Sequence, residues 1–271
     1  MDNIFDSLIN IILKSKKELR IKVFSQNLID VIPRVYYVGD GKTGSSSIKN
    51  GFITTNTAHW HDVKHFENIY NTKLLTNNKL DLYDLIFYIG RKYNFLPIII
   101  ESIRNPINKE ISNFFQHYKD NSFSHGNNCS ICNYKNCKNI NDKIQYCNRY
   151  MTDKIKGFNL PYSQEMYKKH FGIDLCNSFD LNKNYFFNKN KKCILLFIKY
   201  ENIENWEILI NQLLDYKFVL SHSNKTLNFD YRQIVNNLKF KKETINFLEN
   251  PDFLKFFTEN EINKIKNDFF Y

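Results

Sequence analysis

Three short apolar runs set the strongest limit on how this chain can fold. They are "RVYYVG" (34–39), "LPIIIESIR" (96–104) and "KKCILLFIKY" (191–200). Each is rich in branched and aromatic residues, and such runs read as buried strands. Each is followed by a segment that reads as a helix. After the first come a glycine-rich turn and "SSSIKNGF", which has no strand pattern and can open a helix. After the second comes "NPINKEISNFFQHY", with Pro106 near the first turn, where proline is tolerated. After the third comes "NIENWEILINQLL". A further β-rich segment, "FITTNTAHW" (52–60), and a helical one, "KLDLYDLIFYIGRKY" (79–93), fill the first interval. Strands alternating with helices predict an α/β fold with a mostly parallel central sheet flanked by helices.

The rest of the chain fits one domain, residues 1–271, with a helical C-terminal part. Residues 1–33 form an N-terminal segment, amphipathic and helical over 3–20. Residues 121–149, polar and rich in Asn and Cys, read as an insertion. Hydrophobic residues make up 42% and aromatics 16%, a load that a disordered chain would not carry. No apolar run is long enough to span a bilayer, and no export signal is apparent. Six cysteines in such a chain point to a reducing compartment, the cytoplasm, and to thiols or metal ligands. A net charge of +10 suits polyanionic ligands: nucleotide, nucleic acid or acidic polysaccharide. The lysines are spread along the chain, so a nucleic-acid groove is disfavoured against a solvated basic surface.

The first strand runs into Gly41-Lys42-Thr43, which looks like the end of a nucleoside-triphosphate P-loop. That loop needs a glycine five positions before the second one. The position is Tyr36, inside the strand. What remains is an anion cradle. A helix starting near Ser45 directs amide groups and its dipole at the turn. Lys42 adds a positive charge, and Thr43, Ser45, Ser46 and Ser47 add hydroxyls. The second strand ends in Arg104, with Ser112 eight residues on, about two helical turns. Arg forms bidentate bonds to phosphate oxygens. The pair predicts a second phosphate site, beside the first at the carboxyl end of the sheet.

These segments resemble the sulfotransferase family, which implies a P-loop-like architecture. "GKTGSSS" resembles the loop that holds the 5′-phosphosulfate of 3′-phosphoadenosine-5′-phosphosulfate (PAPS). "SIRNPINKEISNFF" resembles the 3′-phosphate motif, and "FIKYENIENW" a later strand-to-helix junction. The closer similarity is to a sulfotransferase-like branch of capsular polysaccharide synthesis proteins. It is carried by "HWHDVKHF", "YKKHFGIDLCNSFD", "SNKTLNFDYRQI" and "FLENPDFLKFFTENEINKIKNDFF". The resemblance implies that Lys42, Thr43, Gly44, Ser45, Ser46 and Ser47 wrap the 5′-phosphosulfate, and that Arg104 and Ser112 hold the 3′-phosphate. It implies that Lys42 also neutralises charge on the leaving oxygen. The chain lacks the family's arginine-lysine-glycine loop near 220–232; Asn224, Lys225 and Arg232 are the substitutes at hand.

Sulfuryl transfer to a hydroxyl needs a base that works near neutral pH, and histidine fits. "TAHWHD" places His59 and His61 on one face of an extended segment. His61 is the expected base and His59 the second choice, with Asp62 or Glu67 to orient an imidazole or act as base; His65 reads as surface. The plain alternative is two histidines hydrogen-bonded at a strand edge. Cys129, Cys132, Cys137 and Cys147 form C-x2-C-x4-C-x9-C, of which one pair has zinc-like spacing. They are either structural zinc ligands or unpaired thiols in the insertion.

The sequence therefore predicts a PAPS-dependent sulfotransferase that releases PAP (3′-phosphoadenosine-5′-phosphate). Its acceptor is a hydroxyl of a carbohydrate, an anionic polysaccharide fitting the basic surface. The alternatives are a degenerate P-loop nucleotide kinase or NTPase, with Glu101 as the magnesium-binding acid, or a non-catalytic module that binds glycan or nucleic acid.

Overall fold

The computed structural model describes residues 2–15, 32–39, 43–120, 137–156, 162–221, 229–240 and 246–270. One sheet holds five strands: β1 (Val35–Val38), β2 (Thr57–Trp60), β3 (Ile98–Ile103), β4 (Tyr185–Lys189) and β5 (Ile194–Lys199). Their order is β2-β1-β3-β5-β4. β1 pairs in parallel with β2 and with β3, β3 pairs in parallel with β5, and β4 lies antiparallel at the edge. The helices are, in chain order, α1 (Asp2–Lys14), α2 (Ser45–Gly51), α3 (Val63–Tyr70), α4 (Leu74–Asn77), α5 (Leu82–Lys92), α6 (Pro106–Asp120), α7 (Ile140–Lys156), α8 (Tyr162–Phe171), α9 (Leu175–Ser178), α10 (Trp206–Leu213), α11 (Phe229–Asn237), α12 (Pro251–Leu254) and α13 (Glu259–Phe269). Among the described residues, no helix is long and apolar enough to cross a membrane.

The chain divides into two compact units. The first takes residues 1–103 and 161–223 and holds the sheet; the second takes residues 104–160 and 224–271 and is helical. In the first unit helices cover both sheet faces, so every residue of β1 and β3 is buried. On one face Val35, Tyr37, Ile98, Ile100, Leu196 and Ile198 pack with Ile48 of α2 and Trp206 and Ile210 of α10. On the other, Trp60 meets Phe66 of α3 at 5.0 Å between ring centroids, and Tyr83 of α5 donates a hydrogen bond to the buried Glu101. α1 closes over α5, where Phe5 stacks on Tyr88 at 4.9 Å. In the second unit α6 begins at Pro106, with Asn105 Oδ1 accepting the amide of Ile107 at 3.0 Å. Phe114 of α6 packs on Tyr150 of α7 at 5.2 Å.

Three sequence expectations are revised. β4 was not anticipated. The strand expected over 52–60 narrows to Thr57–Trp60, because Phe52 instead makes an isolated antiparallel bridge to Phe218. α7 begins at Ile140, so the last part of the expected insertion is helix; residues 121–136 lie outside the described residues.

α5 and α8 are tied by one carboxylate. Asp81 caps α5 through a capping box with Asp84. Its Oδ2 also accepts from Lys169, and from His170 Nε2 at 2.9 Å. Burial alone would raise the Asp81 carboxyl, but the hydrogen bonds from His170, Lys169 and the Asp84 amide outweigh it and hold it at about 2. A carboxyl depressed by folding stabilises the native state above its unfolded value. That contribution is lost as pH falls through the folded value, here from about 4 to about 2. We expect Asp81→Asn to cost about 1–2 kcal/mol at neutral pH. Urea titrations across pH should show a flatter acid limb for the variant between about pH 4 and pH 2; parallel limbs would remove Asp81 from the acid transition.

Candidate functional site at the strand ends

From β1 the chain goes first to β2 on one side and then returns past β1 to β3 on the other. The strand order therefore reverses between β1 and β3, and open α/β sheets bind ligands at the carboxyl side of such a point. The turn from β1 to α2 leaves from there. Gly39 has φ 147° and Gly44 φ 98°, a region that side chains disfavour. Gly44 is the N-cap of α2, and a Cβ on it would lie 2.4 Å from the Trp206 ring. Conformation and space both demand glycine here. No side chain caps α2, and its first intrahelical bond runs from Ile48 N to Gly44 O at 3.0 Å. The amides of Ser45, Ser46 and Ser47 thus have no partner within the helix.

The hydroxyls of the turn divide into two groups. Thr43, 2% exposed, has its Oγ1 on the Tyr37 hydroxyl. Ser47 Oγ donates to the carbonyl of Ser221 at 2.8 Å. That bond brings the end of the described stretch 162–221 against α2. Among the described residues, no hydrogen bond engages the hydroxyls of Ser45 and Ser46. Lys42 lies outside the described residues, as do Asn224 and Lys225. Arg104 follows β3 directly in the chain; it, Ser112 of α6 and Arg232 of α11 belong to the second unit.

Three histidines gather at the carboxyl end of β2: His59 within the strand, His61 just past it and His65 on α3. The rings of His59 and His61 are 4.4 Å apart, His61 and His65 4.3 Å, and His59 and His65 6.0 Å. His65, expected at the surface, is partly buried and belongs to this cluster. His61 Nδ1 lies 2.7 Å from the carbonyl oxygen of Gly39. A carbonyl only accepts, so Nδ1 carries the proton and neutral His61 keeps its lone pair on Nε2. His65 Nδ1 accepts the backbone N–H of His61 at 3.1 Å, so its proton sits on Nε2. The carboxylates expected to orient an imidazole are used elsewhere. Asp62 caps α3 on the amide of His65 at 2.7 Å. Glu67 takes both the amide and the hydroxyl of Thr76, at 2.9 and 2.7 Å. The orienting group is the Gly39 carbonyl, which a search restricted to side chains overlooks.

Two other candidate sites carry less. Asp81, Asp84 and His170 place ligand atoms within 4.8 Å of one another, but Lys169 already supplies a cation to Asp81 and His170 donates to it. Of the four expected zinc ligands, Cys129 and Cys132 lie outside the described residues; Cys137 is partly buried and Cys147 buried. Burial pushes the Cys147 thiol up to about 12, with Cys137 adding to the shift and Lys143 opposing it. Zinc would have to hold Cys147 as a thiolate against that cost. No protein family, no curated protein and no solved structure matches this chain.

We expect Gly44→Ala to cost about 2–4 kcal/mol through the left-handed backbone and the contact with Trp206; a melting temperature equal to wild type would contradict this. Nitrogen-15 NMR of the neutral imidazoles should show His61 protonated on Nδ1 and His65 on Nε2. The reverse pattern for His61 would break its link to Gly39.

Proposed function

We propose that the protein is a PAPS-dependent sulfotransferase with a P-loop-like nucleotide turn, acting on a hydroxyl of a carbohydrate. The observation that carries the reading is the bond from His61 Nδ1 to Gly39. It fixes a basic nitrogen beside the turn that would hold the donor. The residues present suit that ligand. The uncapped amides of Ser45–Ser47 and the hydroxyls of Ser45 and Ser46 offer donors to an anion. Thr43 and Ser47 take part through the backbone, their hydroxyls being engaged within the protein. Lys42 would supply positive charge to the bridging oxygen, and Arg104 and Ser112 would hold the 3′-phosphate. When bound, PAPS supplies an activated sulfuryl group for in-line displacement, in which positioning and charge balance do most of the work.

His61 Nε2 accepts the proton of the attacking hydroxyl. The imidazolium that results keeps its Nδ1–H on the Gly39 carbonyl, so the ring does not need to turn. His65 holds the His61 backbone amide at 3.1 Å and limits movement of the segment. The basic surface, with a net charge of +10, suits an anionic polysaccharide acceptor. The four described cysteines are thiols, which suits a cytoplasmic enzyme. A zinc at Cys129, Cys132, Cys137 and Cys147 forms no part of the proposal. The kinase or NTPase reading is weakened by Glu101, whose carboxylate is 1% exposed and accepts from Tyr83.

Calorimetry should show PAP binding to the intact protein that Lys42→Ala and Arg104→Ala each weaken by about 10-fold or more, the loss of one charge-assisted contact. Absence of PAP binding by the intact protein would refute the reading. His61→Ala should keep PAP affinity while transfer to an accepting glycan falls about 100-fold or more. Undiminished turnover would move the base elsewhere, and no turnover in any form would leave a binding module.

A further inference from the structure

The end of β1 carries a ring of hydroxyls that the proposed chemistry does not use. Tyr37 Oη lies 2.8 Å from Ser102 Oγ and also touches Thr43 Oγ1. Ser102 Oγ donates to the carbonyl oxygen of Thr43 at 2.5 Å. All three residues are buried, at 1%, 4% and 2% exposure for Tyr37, Ser102 and Thr43. Each hydroxyl has a single proton, which fixes every direction. Ser102 spends its proton on a carbonyl that can only accept. Tyr37 must therefore donate to Ser102. Thr43 must then donate to Tyr37. The path runs from the Thr43 hydroxyl through Tyr37 and Ser102 and returns to the Thr43 carbonyl.

We infer that Tyr37 and Ser102 are positioning residues, which clamp Thr43 by its hydroxyl and its carbonyl together and so set the start of α2. The inference rests on the proposed donor site and goes beyond it. The threonine hydroxyl faces into the sheet and not toward a ligand, unlike the metal-binding hydroxyl of a P-loop NTPase. Two strands take part. Tyr37 comes from β1 and Ser102 from β3, on either side of the point where the strand order reverses. The clamp therefore transmits the spacing of these two strands to the turn. With Thr43 fixed at both ends of the residue, Gly44 can hold its left-handed conformation at φ 98° and aim the following amides. A closed path also makes the three bonds interdependent, since removing any one hydroxyl opens the ring.

The test combines calorimetric titration of PAP with hydrogen exchange of the amides of residues 43–47 in the ligand-free protein. The proteins are wild type, Tyr37→Phe, Ser102→Ala and the double variant. Each single loss should weaken PAP binding about 10-fold and speed exchange at 43–47 by a similar factor, with exchange of β3 amides unchanged. The double variant should be no weaker than either single one, because the ring is already open. Unchanged PAP affinity in both single variants would overturn the clamp while leaving the donor site standing. So would effects that simply add in the double variant. If wild type binds no PAP, the donor site fails; faster exchange in Tyr37→Phe would then still support the clamp, and unchanged exchange would overturn it as well.

Discussion

Parallel pairing of β1 with β2 on one side and β3 on the other is the constraint from which the site follows. The register sets Tyr37 opposite both His59 and Ile100. Residues one pleat further on, Gly39, His61 and Ser102, then gather where the strands end. Backbone groups at such ends lose their ladder partners and must find others. Gly39 shows the outcome. Its N–H reaches back to the Trp60 carbonyl at 3.2 Å, and its carbonyl takes the His61 imidazole. A strand-end satisfaction problem thus fixes the tautomer of a histidine.

The polar groups around the turn share out two tasks. Those that lie between strands are satisfied within the protein: Tyr37, Thr43 and Ser102 with one another, and Ser47 with Ser221. The amides of the first turn of α2 have no such partner within the helix, and among the described residues no hydrogen bond engages the hydroxyls of Ser45 and Ser46. In the proposed reading the first group holds the second in place, as a set of anion donors needs. Binding then costs little ordering of the turn.

Much of this was legible in the sequence. β1, β3 and β5 are continuous apolar runs because a covered parallel sheet leaves no wet face, and all three fall where those runs predict. β4 was hidden because "YFFNK" is short, lies at an edge and ends in polar residues. The glycines of the turn announced a special backbone, and the structure gives Gly44 its reason in the Trp206 ring. The His-x-His alternation placed both rings on one side. What the sequence hid were partners distant along the chain. Ser102 sits inside an apolar strand pattern, so nothing local marks it as a clamp for Thr43 fifty-nine residues earlier. The Gly39 carbonyl is invisible to any reading by side-chain type. Glu67 looked available for an imidazole because its use by Thr76 arises from the packing of α3 against α4.

We propose that the carboxyl ends of β1 and β3 hold a doubly phosphorylated adenosine with His61 beside it. Amide and imidazole NMR shifts mapped during titration with PAP test it most directly. The account predicts the largest changes at residues 39–47 and at residue 104, with the His61 ring signals moving in step with them. Changes confined to another part of the sheet, or a His61 ring that stays indifferent while the turn responds, would contradict it.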